Sequence, residues 1–287
     1  VHDFSLQYFW ILLTLMSFMG FFWSIQLPFI EVLALEKIKK ENYGKARLFG
    51  SIGFTIVALW IGAMPFDSHF SMNIYVGTIT LTLLFGLLLS KNITTTVKII
   101  TKSEKQNRFK HIELWIGLFL VQVGFGGFYN FFTIFEGEHG ISLDVITYLW
   151  AFGVIAEIVM FMFQTKFLHL PLLTLMKLSI FLTAIRWLMV SLYPENIMIL
   201  YASQSLHAFS LALLHTVSIT YIFSLYKENQ KLAQQFYLGI TFGLGMFIGS
   251  LLSGAVYGEH IFTVMSLVTL LALYFIHLHQ KRQLVII

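Results

Sequence analysis

The sequence predicts an all-α polytopic membrane protein. Of its 287 residues, 57% are hydrophobic and only 11% are charged, which is far more apolar than the composition of a soluble domain. Apolar runs recur along the whole chain, and a run of about 20 residues crosses the bilayer as a helix. Basic residues alternate between the connections, as in proteins whose loops lie on opposite sides of a membrane.

Nine membrane spans follow from these runs. Each is a mostly apolar stretch whose helical length matches the hydrocarbon thickness, at a rise of ~1.5 Å per residue. They are predicted at residues 8–33, 46–64, 72–90, 112–135, 145–168, 172–193, 196–224, 232–257 and 261–279.

The charged residues mark the two sides of the membrane. Seventeen of the 18 Lys and Arg residues lie in or beside alternate connections: Lys37, Lys39, Lys40, Lys45, Arg47, Lys91, Lys98, Lys102, Lys105, Arg108, Lys110, Lys166, Lys177, Lys227, Lys231, Lys281 and Arg282. The other connections hold acids and no basic residue: Asp67, Glu136, Glu138, Asp144, Glu195 and Glu259. The positive-inside rule therefore predicts that the C-terminus lies in the cytoplasm.

The longest polar stretch, from Lys91 to Lys110, divides the spans into three and six. We predict a remainder of an N-terminal helical half at 1–90, a cytoplasmic basic linker at 91–111 and a C-terminal six-helix half at 112–287. Nine spans place Val1 outside the cytoplasm, and the chain does not start with Met. The expectation is that nine of twelve helices of a six-plus-six transporter are present, by analogy at the level of the fold.

Arg186 is the one basic residue deep inside an apolar segment. An ion in hydrocarbon is costly and is normally buried with a partner and a task. Glu157 and His207 lie on the flanking spans. The span 145–168 has its middle near Ala156, so Glu157 is within ~2 Å of the midplane. The other two lie in the middle third of the bilayer, and the three are predicted to form a proton-coupling group.

Two interpretations of this group stay open. Glu157 and Arg186 could form an interhelical salt bridge that only holds the bundle together. His207 favours a proton relay instead, because histidine titrates near neutral pH.

Further polar residues are candidates for a wet, substrate-binding cavity. Gln204 lies one turn from His207, and His215 lies two turns beyond it on the predicted same face. Gln122 is near the centre of span 112–135, with Asn130 closer to its outer end. Taken singly, each could instead bond a neighbouring helix. The glycines of span 232–257 are spaced for close helix packing.

Several classes of function are disfavoured. The chain has no Cys and none of the common zinc-protease, dinucleotide or P-loop motifs, so we expect no enzyme, no metal site and no cofactor. The net charge of +4 is explained by the positive-inside rule, so nucleic acid is not an expected partner. The expected partners are a small-molecule substrate, protons and the lipid bilayer.

Four segments carry a resemblance to a known family: Tyr43-Gly44-Lys45-Ala46-Arg47-Leu48-Phe49-Gly50-Ser51-Ile52-Gly53, Gly153-Val154-Ile155-Ala156-Glu157, Arg186-Trp187, and Gln204-Ser205-Leu206-His207 through His215. The first resembles the start of the fifth helix in lactose-permease-like proteins of the major facilitator superfamily. The others are most similar to its phenylpropionate-permease branch of proton symporters. This resemblance implies the major facilitator fold and a bacterial inner membrane.

The resemblance also implies roles for individual residues. Glu31 and Arg47 match the acid and arginine that bind substrate in the lactose permease, although an ordinary salt bridge near the span ends is an equal alternative. Arg186 and His207 match its coupling arginine and histidine. Ser210 stands where that family has a further acid, so Glu157 becomes the candidate proton carrier.

The predicted function is proton-coupled symport of a small organic solute by alternating access, with an aromatic carboxylate such as 3-phenylpropionate as substrate. One alternative is a sugar or nucleoside symporter that binds its substrate through Glu31 and Arg47. A second is a non-transporting receptor or assembly protein on a transporter scaffold.

Overall fold

The computed structural model describes residues 8–19, 49–57, 59–60, 68–90 and 111–286, which form helices joined by short turns. The first part contains α1 (Phe9–Met19), α2 (49–57) and α3 (Ser68–Ser90). α1 and α2 lie within the first two predicted spans, and α3 covers the third but begins four residues before it, at Ser68. The described part of the chain has no strand, as expected for an all-α protein.

Six helices follow, and each is long and apolar enough to cross a membrane. They are α4 (Ile112–Glu138), α5 (Leu143–Lys166), α6 (Leu172–Leu192), α7 (Ile197–Leu225), α8 (Leu232–Ala255) and α9 (Ile261–Leu284). The prediction of a helical polytopic membrane protein is confirmed. The count of nine spans, the linker at 91–111 and the division into halves remain predictions, because much of residues 1–110 lies outside the described part.

One predicted boundary is wrong. Span 112–135 was expected to end before Glu136, but α4 continues to Glu138, so both acids belong to the helix. The helix ends just before Gly140, whose φ of +84° suits a residue without a Cβ and turns the chain towards α5.

Glycines set the close approach of α4 and α8. A Cβ added to Gly249 would overlap the carbonyl of Val123, and one added to Gly245 would lie 2.9 Å from the Cβ of Gln122. Gly126 of α4 meets the backbone of α8 in the same way. The glycine spacing of α8 therefore serves helix packing, as the sequence predicted.

The opposite part of α4 carries phenylalanines at helical intervals. Four of them are almost completely buried: Phe125, Phe128, Phe132 and Phe135. Phe128 packs against Trp187 of α6 and Trp150 of α5, with ring centroids 5.0 and 4.7 Å apart. Phe135 packs edge-on against Phe262 of α9 at 5.0 Å. α4 is thus the central helix: glycines bring it close to α8, both glycines and aromatic rings join it to α9, and aromatic rings join it to α5 and α6.

Two helices depart from α geometry near their centres. α7 has a π-helical segment at Ala208–Leu213, and α8 has one at Tyr237–Leu244. Such segments are rare and occur frequently at functional sites. The segment in α7 begins directly after His207.

Replacing Gly249 by alanine tests the α4–α8 contact. The added methyl group has to push the helices apart, and overpacking of this kind costs about 1–3 kcal/mol. We expect a lower thermal unfolding temperature for the purified Gly249→Ala protein. Gly239→Ala in the same helix is the control, because an added Cβ there meets nothing within 4 Å. Equal unfolding temperatures for the two variants would contradict the packing.

Candidate functional site

Arg186 is completely buried, and its guanidinium is held by two side chains of α7. Its Nη1 lies 2.8 Å from Nδ1 of His207, and its Nη2 donates to Oε1 of Gln204 at 2.8 Å. The planar guanidinium thus uses both ends of its fork on residues one helical turn apart. This fixes α6 against α7 at a single register.

The arginine determines the tautomer of His207. A guanidinium has only donors, so Nδ1 of the imidazole must accept the hydrogen bond and carries no proton. The ring proton of the neutral imidazole then lies on Nε2, which is 3.6 Å from Oε2 of Glu157. That separation is longer than a hydrogen bond, so the carboxyl of Glu157 faces the histidine without being bonded to it.

Aromatic faces help to hold the buried positive charge. The guanidinium carbon of Arg186 lies 4.2 Å from the ring centroid of Phe128 and 4.7 Å from that of Trp187. Cations are attracted to aromatic faces, and the attraction is larger where water is excluded. Nε of Arg186 has no hydrogen-bond partner among the described residues, so the arginine depends on these rings and on its two α7 partners.

Local sequence places the α7 partners. The side chain of Asn196 accepts hydrogen bonds from the backbone N–H groups of Met198 and Ile199 and so fixes the start of α7. Gly153 of α5 gives the helices room, since a Cβ there would lie 3.0 Å from Oε1 of Gln204. A larger residue at 153 would disturb the acceptor that Arg186 uses.

A cavity of about 260 Å³ opens beside this group. It is lined by Gly50, Ser51 and Phe54 of α2, Tyr129 of α4, Trp150, Val154 and Glu157 of α5, and His207 of α7. Residues from both sides of the predicted linker therefore meet at one cavity. Arg186 is not in its wall, because His207 stands between the guanidinium and the cavity.

Aromatic rings form much of the cavity wall. Trp150 stacks on Tyr129, with centroids 5.8 Å apart and planes 25° apart. Its indole Nε1 donates to Oγ1 of Thr133 at 3.0 Å, which fixes the orientation of the ring. The wall thus presents a preorganised aromatic surface next to an ionisable acid.

The structure brings the predicted coupling residues together in a line, from Glu157 through His207 to Arg186. The alternative of a direct salt bridge between Glu157 and Arg186 does not match this geometry, because the ring of His207 lies between them. Gln204 shares a face with His207, as predicted, and both contact the arginine. Glu31 and Arg47 lie outside the described residues.

Three predicted substrate-binding residues lie elsewhere in this conformation. Gln122 is buried against α8, and Asn130 donates to the backbone of its own helix at Gly126. His215 packs against Tyr237 and Phe242 of α8 rather than beside His207. The wider turns of the π segment change the rotation of the helix between 207 and 215, so a count in α-helical turns misplaces His215.

Sequence reasoning did not select Trp150 or Val154 for the cavity. A signal for them is present, because residues 150, 154 and 157 have the spacing of one helical face, and Glu157 was already a candidate. For Phe54 no such signal exists, since its place depends on how α2 packs against the later helices.

Comparisons with known proteins agree with this architecture. The model of the MFS_1 like family matches residues 4–267. The chain is also 25% identical over 288 residues to the probable 3-phenylpropionic acid transporter of Escherichia coli (strain K12). That similarity covers 92% of this chain and 73% of the relative.

Replacing Arg186 by lysine tests the two hydrogen bonds that the guanidinium makes with His207 and Gln204. A lysine ammonium cannot donate in the same planar geometry to His207 and Gln204, and hydrogen bonds to charged groups contribute about 1.5–3 kcal/mol each. We expect Arg186→Lys to lower the thermal unfolding temperature of the purified protein. The matched control is Arg282→Lys, since Arg282 is a half-exposed partner of Glu113. If both substitutions have the same small effect, the guanidinium of Arg186 does not stabilise the contact between α6 and α7.

Proposed function

The chain belongs to the MFS_1 like family, and on this premise we propose that it is a proton-coupled symporter of small aromatic carboxylates. Membership of a transporter family makes it a membrane transporter rather than an enzyme. The proposal adds the coupling ion and the substrate class. The observation that carries it is the line Glu157–His207–Arg186 at the wall of the cavity.

The charge at the cavity wall explains why a proton is needed. Glu157 is the acidic residue among those that line the cavity, and Arg186, a cation of the described helices, lies behind His207. A carboxylate substrate entering beside ionised Glu157 meets a like charge. Two such charges 4 Å apart repel by about 4 kcal/mol at an effective dielectric constant of ~20. Protonation of Glu157 removes this repulsion.

Protonation of Glu157 also makes the site attractive to an anion. While Glu157 is ionised, its charge offsets that of Arg186 across the imidazole. When Glu157 is protonated, the buried guanidinium loses this counter-charge, and the substrate carboxylate can replace it. One proton and one carboxylate therefore bind together, and the net charge of the site stays the same in the empty and the loaded state. Alternating access then carries both across the membrane.

Each neighbouring residue has a part in this scheme. His207 couples the protonation state of Glu157 to Arg186, because one of its ring nitrogens faces the carboxyl and the other faces the guanidinium. Gln204 holds the guanidinium in place when the histidine moves. Glu31 and Arg47 would complete the site from the N-terminal half, as the family resemblance implies.

The aromatic part of the substrate is inferred from the cavity wall. Tyr129, Trp150 and Phe54 offer ring surfaces beside Glu157. The similarity to a probable 3-phenylpropionic acid transporter supports the same class. A sugar or nucleoside would instead need several hydrogen-bonding groups, which the Glu31–Arg47 alternative would provide.

The orientation in the membrane is also part of the proposal. The distribution of basic residues supports a cytoplasmic C-terminus, and the family supports a bacterial inner membrane. Glu157 would then receive its proton from the outer side and release it to the cytoplasm.

Transport by purified protein in liposomes is the direct test. We expect 3-phenylpropionate added outside to cause alkalinisation of the outer medium, because each carboxylate carries a proton inward. Sugars and nucleosides tested in parallel should give no signal. Proton uptake driven by a sugar or nucleoside would establish the alternative substrate class, and no uptake with any compound would favour a non-transporting role.

The pH dependence of binding tests the role of Glu157. Since the proposed coupling takes up one proton with each substrate, the wild-type affinity for 3-phenylpropionate should fall by up to about tenfold per pH unit as the medium becomes more alkaline. Glu157→Gln imitates the protonated acid, so its affinity should not change over the same pH range. Binding by calorimetry measures both. A variant that keeps the wild-type pH dependence would assign the proton to another residue.

Aromatic recognition is tested at Trp150. Replacing it by leucine removes the ring surface, and a contact of this kind contributes about 0.5–1.5 kcal/mol, which is about two- to tenfold in affinity. We expect Trp150→Leu to weaken binding of 3-phenylpropionate more than binding of its cyclohexyl analogue. Trp10→Leu in α1 is the control, since Trp10 is 74% exposed. Equal losses for both ligands would exclude a specific ring contact.

A further inference from the structure

Glu136 is a buried acid that the proposed coupling mechanism does not use. It lies near the end of α4, and its exposed fraction is 0%. Neither of its carboxyl oxygens has a hydrogen-bond partner in the described part of the chain. Its neighbours along the helix, Phe132 and Phe135, pack against Phe262 of α9 in an apolar layer.

The surroundings leave only one stable form of this acid. Among the described C-terminal helices, the titratable groups at this end include Glu138 on α4, His139 just after it, Asp144 at the start of α5, Tyr193 and Glu195 between α6 and α7, and Tyr257, Glu259 and His260 between α8 and α9. None of these makes a hydrogen bond or an ion pair with the carboxyl of Glu136. A carboxylate buried without a donor or a cation is unstable relative to the neutral acid. The carboxyl of Glu136 therefore carries a proton in this conformation.

Glu136 is placed to pass that proton towards the cavity. Tyr129, Thr133 and Glu136 lie on one face of α4, because they are spaced by about one helical turn. The seven residues from Tyr129 to Glu136 correspond to about 10 Å along the helix. The hydroxyl of Thr133 lies between them and already bonds Trp150 of the cavity wall. Thr133 and Tyr129 thus provide hydroxyl groups on the same helix face, between the buried acid and the wall that holds Glu157.

We propose that Glu136 is a second proton-binding site, at the outer end of the bundle, that loads the central network with protons. In this step the proton leaves the carboxyl of Glu136 and binds the carboxylate of Glu157. The carboxylate formed at position 136 then takes a new proton from the outer aqueous phase. The part played in transport rests on the symport proposed above, whereas the proton on Glu136 is detectable without transport.

Glu138 provides a matched control two residues away. It is exposed and accepts a hydrogen bond from Oη of Tyr257 at 2.6 Å. Burial and the contact with Glu138 raise the pKa of Tyr257 to about 12, so the phenol remains a donor. Because Glu138 is exposed and already has a hydrogen-bond donor, Glu138→Gln should not imitate Glu136→Gln.

Infrared spectroscopy of the reconstituted protein tests the proton directly. A protonated carboxyl has a C=O stretching band that a carboxylate lacks. We expect part of this band to be absent in Glu136→Gln and unchanged in Glu138→Gln at neutral pH. An unchanged band in Glu136→Gln would show that this acid is ionised and would overturn the proposal, whether or not the protein is a symporter.

Transport measurements test the delivery of protons. Proton uptake driven by 3-phenylpropionate should fall by about tenfold or more in Glu136→Gln, in line with the loss of a positioned proton donor. Substrate counterflow moves no net proton and should be unchanged. Unchanged proton uptake would overturn the proposed role. Loss of uptake and counterflow together, with the thermal unfolding temperature also lowered, would make Glu136 a structural residue and would overturn it as well.

Discussion

The arrangement of the C-terminal helices depends on one constraint, the burial of a permanent positive charge in hydrocarbon. Arg186 cannot release its proton as a lysine could, so the protein has to surround it with acceptors and aromatic faces. His207 and Gln204 supply the acceptors from α7, and Phe128 and Trp187 supply the faces from α4 and α6. Three helices are thereby tied to one side chain. The nearby acid is left at the cavity wall, where its protonation changes the electrostatic balance of the whole group.

Glycine contacts and aromatic contacts between the helices have different roles. Glycines bring α4 and α8 to backbone contact, which leaves no room for side-chain rearrangement between them. Large rings fill the contacts of α4 with α5 and α6 and one part of its contact with α9, and the cavity lies on the α5 side of this layer. A closely packed pair of helices thus supports a wall that is rich in side chains, and this wall carries the candidate groups for substrate binding.

How much of the site could be predicted from the sequence depends on the free-energy cost of placing each charged or polar residue in the membrane. Arg186, Glu157 and His207 could be selected because ions near the middle of apolar runs are expensive and seldom without purpose. The sequence could not predict that His207 lies between the other two residues, since this depends on the distances between helices. Glu136 was assigned to a connection because charges near span ends cost little, and only the packing shows that it is buried. The prediction that His215 shares a face with His207 is wrong because no residue pattern in the sequence indicates the π segment between them.

That π segment divides α7 into two parts with different neighbours. The part before Ala208 holds the partners of Arg186, and the part from Leu214 packs through His215 on the π segment of α8. Tightening the segment to α geometry would rotate the second part about the helix axis while the first stays clamped to the guanidinium. The two parts of α7 are therefore joined at the π segment, and a twist of the part from Leu214 would act on the contacts that hold the guanidinium of Arg186.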